Sequence, residues 1–527
     1  MPGLSAEQLR KRSNAAWNRK EPWREMYDEA YEFGLPQRNL YDGTWESGTT
    51  GQSKGLRVFD STAIHSTQRF ANRLQSGLFP PDKRWMDLQP GTDIPPERNS
   101  EVREALQLFT KRFFALIRQS NFDLAMGEFL LDLCVGTAAL MVQKGDDEQK
   151  IKFTCVPSFL FTFEEGPDGN AQNVYRKLKM PVENIQRTWP DAELDTVLER
   201  LLEDKPTEPV NLREGTIFNV EDKKWGYYVW HQLNEDQSGI LVDRTIKRSP
   251  WVISRFLKVS GEIMGRGPLI SALPDIKTVN KAIELLLKNA SINIAGVYTA
   301  IDDGVLNPQT IRIVPGAVIP VARNGGPQGP SLQPLPRSGD LQLSQLVIND
   351  LRLQIKKTLL DDSLPPDNMS ARSATEIVER MRDLAVNLGS SYGRMIHEAM
   401  VPIVKLTLEE MGDQGIIDLP LKIDGLEVQI VPVSPLAQAQ NLDEVQNVLQ
   451  WLGVASQLGP VGLATANMEG ISDWVADQLG VPIGLRTTPD QRQETAEIGQ
   501  QFLQAQAGQP AAPVDAGQPP PGAVIDG

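Results

Sequence analysis

The chain has 527 residues, 40% of them hydrophobic and 23% charged, enough for several packed domains and unlike a disordered polymer. Its formal charge of −15 and pI near 4.9 argue against tight, sequence-independent DNA binding, which depends on Lys and Arg neutralising phosphates. Cys134 and Cys155 lie in apolar contexts and read as reduced core thiols of an intracellular protein; no run approaches the roughly 20 apolar residues of a membrane span, and Met1 to Ser13 lacks an apolar signal core.

Residues 1–262 read as mixed α+β. Ser5 with Gln8 caps a first helix, Pro22 restarts the helical pattern, and Gly34 with Pro36 ends it. Asp60 caps the next helix, in which Ile64, Thr67, Ala71, Leu74 and Leu78 share a face before the Pro80-Pro81 stop. A longer helix covers 99 to 119, and Asn121 caps another that ends near Gly136. The period then changes. Leu140 to Val142, Ile151 to Val156, Phe159 to Phe163 and Val174 to Leu178 are short strand runs separated by Gly- and Asp-rich turns. A short helix at Val182 to Trp189 follows, and strands resume from Ile217 through Phe256.

Residues 274 to 296 form a helix with Pro274 in its first turn and Ile276, Val279, Ile283, Leu286, Ala290 and Ile294 aligned. A second, 341 to 360, aligns Leu343, Leu346, Val347, Leu351, Ile355 and Leu359. Between them Val297 to Ala300 and Ile311 to Ala322 are β-branched runs, followed by the Gly/Pro-rich stretch Asn324 to Pro336. Asp361 to Arg372 is a loop. From Ser373, paired with Glu376 as a capping box, a long amphipathic helix runs to Met411 with Ile377, Met381, Leu384, Leu388, Tyr392, Met395 and Ala399 on one stripe. Gly389, Gly393 and Pro402 interrupt it, and Pro402 is expected to kink it. Leu426 to Val433 is a strand. Residues 436 to 480 are helical with Leu442, Val445, Leu449 and Leu452 on one face; Thr488-Pro489 opens a last helix, and the Gln-, Ala-, Pro- and Gly-rich segment from Gln504 reads as disordered.

The run from Ser373 to Arg380, with Leu388-Gly389, Arg394, Glu398 and Pro402, resembles the long kinked wing helix of the portal proteins of short-tailed phages, the head-to-tail connectors. Gly265-Arg266-Gly267-Pro268 with Ala272 to Lys277 and Asn280 is similar to the family's start of its first stem helix. Phe59 to Ala63, Leu78 to Pro81 with Trp85, and Leu479 to Pro482 with Arg486 match in the same order.

The resemblance implies an α+β portal fold. It divides the chain into a wing body at 1–262, a first stem helix at 263–296, a β clip at 297–340 and a second stem helix at 341–360. A tunnel loop at 361–372, the long kinked helix and wing at 373–435, a helical crown at 436–500 and a disordered tail at 501–527 complete it. It further implies a homo-oligomeric ring, a dodecamer, at one capsid vertex, assembled in the host cytoplasm. Duplex DNA passes through it without sequence specificity. Its implied partners are the major capsid protein, the terminase large subunit, head-tail adaptor or tail proteins, scaffold and internal ejection proteins.

By the same resemblance Asp361, Asp362, Ser363, Asn368, Met369 and Arg372 face the DNA. Asn324, Gly325, Gly326 and Gln328 form the docking surface of the clip. Lys356 and Lys357 have two readings, a favourable meeting with their helix dipole or a contact with phosphate. The two stem helices together are not acidic, because Asp275, Glu284, Asp340 and Asp350 are outnumbered by Lys277, Lys281, Lys288, Arg352, Lys356 and Lys357.

A catalytic constellation is hard to assemble from these residues. His65, His231 and His397 have no metal-ligand spacing. Gly389-Ser390-Ser391-Tyr392-Gly393 fits the hydrolase elbow pattern but lies inside a helix rather than at a strand-turn-helix. Gly51-Gln52-Ser53-Lys54 lacks the full phosphate-loop spacing, and Asp60-Ser61-Thr62 is explained by capping. No catalytic residue, metal or cofactor is expected. Another phage assembly protein, scaffold or internal, is the alternative, and a hydrolase using Ser391 a distant one.

Overall fold

The reciprocal cap at Ser5 forms as its sequence dictates: Ser5 N–H donates to Gln8 Oε1 at 3.0 Å and Gln8 N–H to Ser5 Oγ at 3.3 Å. Helix α1 (Ala6–Gly34) then runs unbroken through Pro22, which does not restart the pattern. Burial of Leu9, Ala16, Tyr27, Ala30 and Tyr31 holds the helix across the one bond that proline removes. This computed structural model describes residues 4–38, 55, 57–95, 98–232, 239–295, 298–300, 332–334, 341–361, 384, 386–418, 426–459 and 466–478. The chain divides into two units, residues 1–440 and 441–527.

In the first unit, α2 (Thr62–Leu78), α3 (Asn99–Gln119) and α4 (Phe122–Val135) pack around Trp85, which stacks on Phe122 at 5.8 Å and meets Phe79, Phe113 and Phe114 edge-on. Asn121 stands at the start of α4 but does not cap it. Its amide pairs both ways with the Phe153 backbone, at 2.7 and 2.9 Å, and Ser120 Oγ accepts from Phe122 N–H instead. A sheet residue 32 positions away thus outcompetes the local cap.

A three-stranded antiparallel sheet orders β3 (Ile151–Val156), β2 (Thr137–Lys144) and β9 (Trp251–Arg255). A five-stranded antiparallel meander runs β4 (Phe161–Glu165), β5 (Ala171–Pro181), β6 (Pro209–Asn219), β7 (Lys224–His231) and β8 (Ile240–Ile246). Between β5 and β6 lie α5 (Glu183–Thr188) and α6 (Thr196–Asp204), the latter capped by Asp195 onto Leu198 N–H at 2.9 Å. Helix α6 and strand β1 (Met86–Pro90) were not foreseen. β1 becomes a strand by pairing with a distant partner, Val428–Pro432, with Leu88 opposite Ile430.

The three-stranded sheet and the flanking helices meet where backbones cross at van der Waals limit. Gly267 N–H donates to Val135 O at 2.8 Å, Phe256 N–H to Gly136 O at 2.9 Å, and Gly265 N–H to Thr137 Oγ1 at 2.8 Å; the buried Tyr27 hydroxyl donates to Gly265 O. A Cβ on Gly267 would lie 2.0 Å from Cys134 O, and one on Gly136 would lie 2.1 Å from Gly265 O. Glycine is therefore required at both by close approach rather than by φ.

In the second unit, residues 441–457 continue the helix Pro435–Gln457 and Met468–Gln478 forms another. Val445 is buried there, but Leu449, expected on the same buried face, is half exposed together with Trp451 and Val454. Among the described residues no helix is long and apolar enough to cross a membrane.

Two outcomes test this packing. Gly267→Ala should cost about 3 kcal/mol or more and lower the yield of soluble folded protein, read by thermal denaturation, because backbone must move to admit the methyl. Lys20, buried between α1 and β4, donates to Ser158 O and to Phe161 O at 2.6 Å; desolvation brings its ammonium down to about 7 from an ordinary 10.5. The unfolded chain holds that proton up to pH 10.5 while the folded one releases it near 7, so this group makes stability rise between those values. Denaturation midpoints of Lys20→Met should lose that part of the rise.

Candidate functional site on the helical pair

Apolar periodicity and an initiating proline produce α7 (Pro268–Ala295) and α8 (Leu341–Thr358), which pack on each other. Helix α7 begins at Pro268, not Pro274: Gly267 closes the preceding crossing and Pro268 needs no N–H in the first turn. Its base is buried through Leu269, Ala272, Ile276 and Val279, and Ile283 and Leu286 continue that stripe half-buried.

Helix α8 carries two apolar faces. Ile348, Ile355 and Leu359 are buried and Leu351 packs beside them, whereas Leu346, Val347 and Leu353 are 66%, 48% and 55% exposed. The single stripe read from the sequence joined residues of both faces. Leu285 and Leu287 of α7 are exposed as well. Beyond the pair, Tyr298–Ala300 (β10) and Leu332–Pro334 (β11) form an antiparallel ladder with Thr299 opposite Gln333. Leu332–Pro334 falls in the stretch read as irregular. Asn324, Gly325, Gly326 and Gln328 lie outside the described residues.

The base of the pair is fastened where two of the sequence motifs converge. Asn280 on α7 accepts Phe59 N–H at 2.6 Å and donates to Arg57 O at 2.7 Å. Asp60 is not the cap expected of it: the N-cap of α2 is Ser61, without a side-chain cap bond. Asp60 Oδ1 takes the Thr62 N–H at 2.9 Å in an Asx turn ahead of the helix, while Oδ2 receives Nε and Nη2 of Arg352 on α8 at 2.9 and 2.6 Å. Burial works to raise the Asp60 carboxyl, but the bonds from Thr62 and Arg352 outweigh it and hold it below the usual range. Most of the basic excess on the helices is neutralised in the same way. Lys277 pairs with Glu29 at 2.6 Å, and Lys281 and Lys288 with Glu284 at 2.9 and 2.5 Å.

Helix α8 ends in a Schellman turn: Asp361 N–H bonds Lys356 O at 2.7 Å and Leu360 N–H bonds Lys357 O at 3.0 Å. Leu360 occupies the left-handed position with φ +54, a strain that glycine would avoid. Arg73 donates to Leu360 O, and the Asp361 carboxylate accepts from Ser66 Oγ at 2.9 Å and from Arg69 at 3.2 Å. Asp361, expected to face an open channel, is instead 1% exposed in this chain, because Arg69 and Arg73 of α2 supply the counter-charge. Lys356 is half-buried and Lys357 exposed, and among the described residues neither has an ion-pair partner. Asp362, Ser363, Asn368, Met369 and Arg372 lie outside the described residues, as does the capping box at Ser373 and Glu376.

Farther along, the helical path breaks at Gly389, where φ is +48, resumes at Ser390–Met395, widens into a π turn at Ile396–Met400 and continues as Val401–Asp413. Pro402 stands in the first turn of the last piece, next to the π turn. Glu398 in that turn accepts from Arg255 Nη2 and Arg394 Nη1, each at 2.9 Å, and from Arg255 N–H at 2.8 Å. Arg255 is 2% exposed and also pairs with Glu165, so this network joins the helix to β9 and to the β4 end. Arg394 and Glu398, matched in the sequence, are thus structural fasteners.

The remaining chemistry is dispersed. Ser391 is buried in the helix Ser390–Met395; His65 is on α2, His397 in the π turn, and His231 ends β7, bonded to Asp195 at 2.6 Å. Among the described residues no group of His, Cys, Asp and Glu is placed to hold a metal.

Residues 6–486 match the model of the family described as bacteriophage head to tail connecting protein. The chain is similar, at 24% identity over 486 residues, to the probable portal protein of Bordetella phage BPP-1, covering 88% of this chain and 85% of that one. It is 21% identical over 260 residues to the portal protein of Escherichia phage T7, about half of each chain. A solved chain from the virion of a native gene transfer agent particle aligns over 80% of this chain at 11% identity and a TM-score of 0.34. The chain belongs to the bacteriophage head to tail connecting family. It is a portal protein in function, a structural component of the virion at the junction of head and tail.

Replacing Glu398 by Gln removes the charge opposite a guanidinium that cannot reach water, and should cost about 3–5 kcal/mol. Chemical denaturation of the variant beside Arg394→Gln, whose own side chain is more exposed, should show the larger loss for Glu398.

Proposed function

We propose that the chain assembles as a ring through which double-stranded DNA enters the capsid during packaging and leaves during ejection. The observation that carries this reading is the second apolar side of α8, Leu346, Val347 and Leu353, left exposed in a single chain. Large aliphatics exposed together on one side of a helix form a surface that a neighbour is needed to cover. Covering one face with a different face of the next copy generates a ring when the rotation closes, and family membership makes twelve copies the count we propose.

In this reading α7 and α8 are the stem and residues 297–340 the clip, where Asn324, Gly325, Gly326 and Gln328 dock the terminase large subunit and later the adaptor or tail. The body at 1–262 with 373–435 is the wing against the major capsid protein, kinked at Pro402, and 436–500 the crown. Lys356 and Lys357, the stem cations without ion-pair partners among the described residues, touch passing phosphates, and residues after Asp361 line the tunnel. Asp361 itself anchors that loop from beneath. Scaffold and internal ejection proteins are further partners. Assembly takes place in the host cytoplasm, and the work is mechanical, with no catalysis.

Electron microscopy of the full-length protein, with native mass, tests this. Rings with a central hole should form, the clip should project from the stem end, and the long helix should bend at Pro402. Leu346→Lys with Leu353→Lys should leave a folded but unassembled chain. A wild type that stays monomeric at every concentration would defeat the ring, and intact rings of the double variant would place the interface on another face.

A further inference from the structure

The wing body contains a cleft of about 660 Å³ that nothing in the portal reading uses. Its walls come from the face of the three-stranded sheet, through Met141 and Lys152, from the five-stranded sheet, through Leu178 and Glu214, and from the helix Val401–Asp413, through Leu406. Six cationic residues line it against three carboxylates, a local positive excess in a chain whose net charge is −15. Arg248 and Lys247 are neutralised by Asp413 at 2.7 and 2.9 Å. Lys144 and Lys152 are exposed on the rim and, among the described residues, have no ion-pair partner.

Of the strands that contribute to the lining, β8 is an outer strand of its sheet among the described strands, whereas the outward backbone of β3 is already taken at Phe153 by Asn121. Edge strands leave backbone donors and acceptors along one side, the template on which an extended segment adds. At the floor Glu214 is 2% exposed; its Oε2 forms an ion pair with Arg176 Nη1 at 3.5 Å, but among the described residues neither that oxygen nor Arg176 Nε has a hydrogen-bond partner. Buried polar atoms left unpaired cost free energy that an occupant offering both a donor and an acceptor recovers. Met141 and Met180 supply adaptable apolar surface beside them.

We propose that this cleft binds an extended acidic peptide segment of a partner protein. Its carboxylates meet Lys144 and Lys152, its alternate apolar side chains fill the space beside Leu178 and Met180, and its backbone runs along the edge of β8. A small anion satisfies the cations but leaves the apolar walls and the edges unused, which is why the peptide is the favoured occupant.

The probe is a short fluorescent peptide alternating Glu with Leu, titrated into the full-length protein and read by anisotropy and by the emission of Trp189, which lines the cleft and is 6% exposed. Saturable, salt-sensitive binding is expected. Lys144→Glu with Lys152→Glu should weaken it at least tenfold without moving the thermal midpoint, since both side chains are exposed. A Lys-for-Glu version of the peptide should not bind. The proposal is overturned by absence of saturable binding, by equal binding to the charge-reversed variant, or by displacement with inorganic phosphate at comparable concentration, which would mark a small-anion site. It is also overturned if the peptide binds only unassembled chains, which would assign the cleft to a second copy.

Discussion

The constraint on which the rest of the first unit depends is the crossing at Gly136, Gly265 and Gly267. Three segments pass one another there with no room for a side chain, and each supplies a hydrogen bond to the next. The end of α4, the start of β2, the exit of β9 and the first turn of α7 are all set by that contact. Because α7 leaves from it, the direction of the helical pair is inherited from the sheet rather than chosen by the helices. The Gly-Arg-Gly-Pro motif is intelligible in these terms: two glycines for approach and a proline to begin a helix where an N–H has no partner.

A second tier of fasteners is electrostatic, each pair having one buried partner. Arg255 with Glu398, Arg352 with Asp60, Arg69 with Asp361, and Arg38 with Asp132 at 2.8 Å each tie elements that are far apart in sequence. Such pairs return little net stability once desolvation is counted, but breaking one strands a charge. They specify one arrangement of the helices on the sheets.

The motifs that mark the family turn out to be joints. Asn280, Asp60, Arg394 and Glu398 fasten backbone and side chains inside one chain, and none is presented as a free surface group. The exposed groups are ordinary residues: the exposed leucines of α7 and α8, Lys357 beside the Schellman turn, and the basic rim of the cleft at Lys144 and Lys152. A motif search finds the scaffold because packing constraints act on single positions, whereas a contact surface is specified by the sum of many substitutable side chains.

Local signals in the sequence determined a good deal. The Ser5–Gln8 cap, the bounds of α3, the strand at Ile151–Val156 and the break at Gly389 follow from capping chemistry, periodicity and backbone permissiveness, which act over a few residues. The α+β class followed from their order. Only the tertiary structure decided which of two apolar faces of α8 goes inward, that Asn121 serves a strand instead of its helix, that Pro22 lies within an unbroken helix, and that Asp361 is covered by Arg69 and Arg73. In each case the deciding partner stands tens to hundreds of positions away. A periodicity of three or four residues carries no term for it, so the energy of burial and pairing that settles the outcome exists only once the chain has folded.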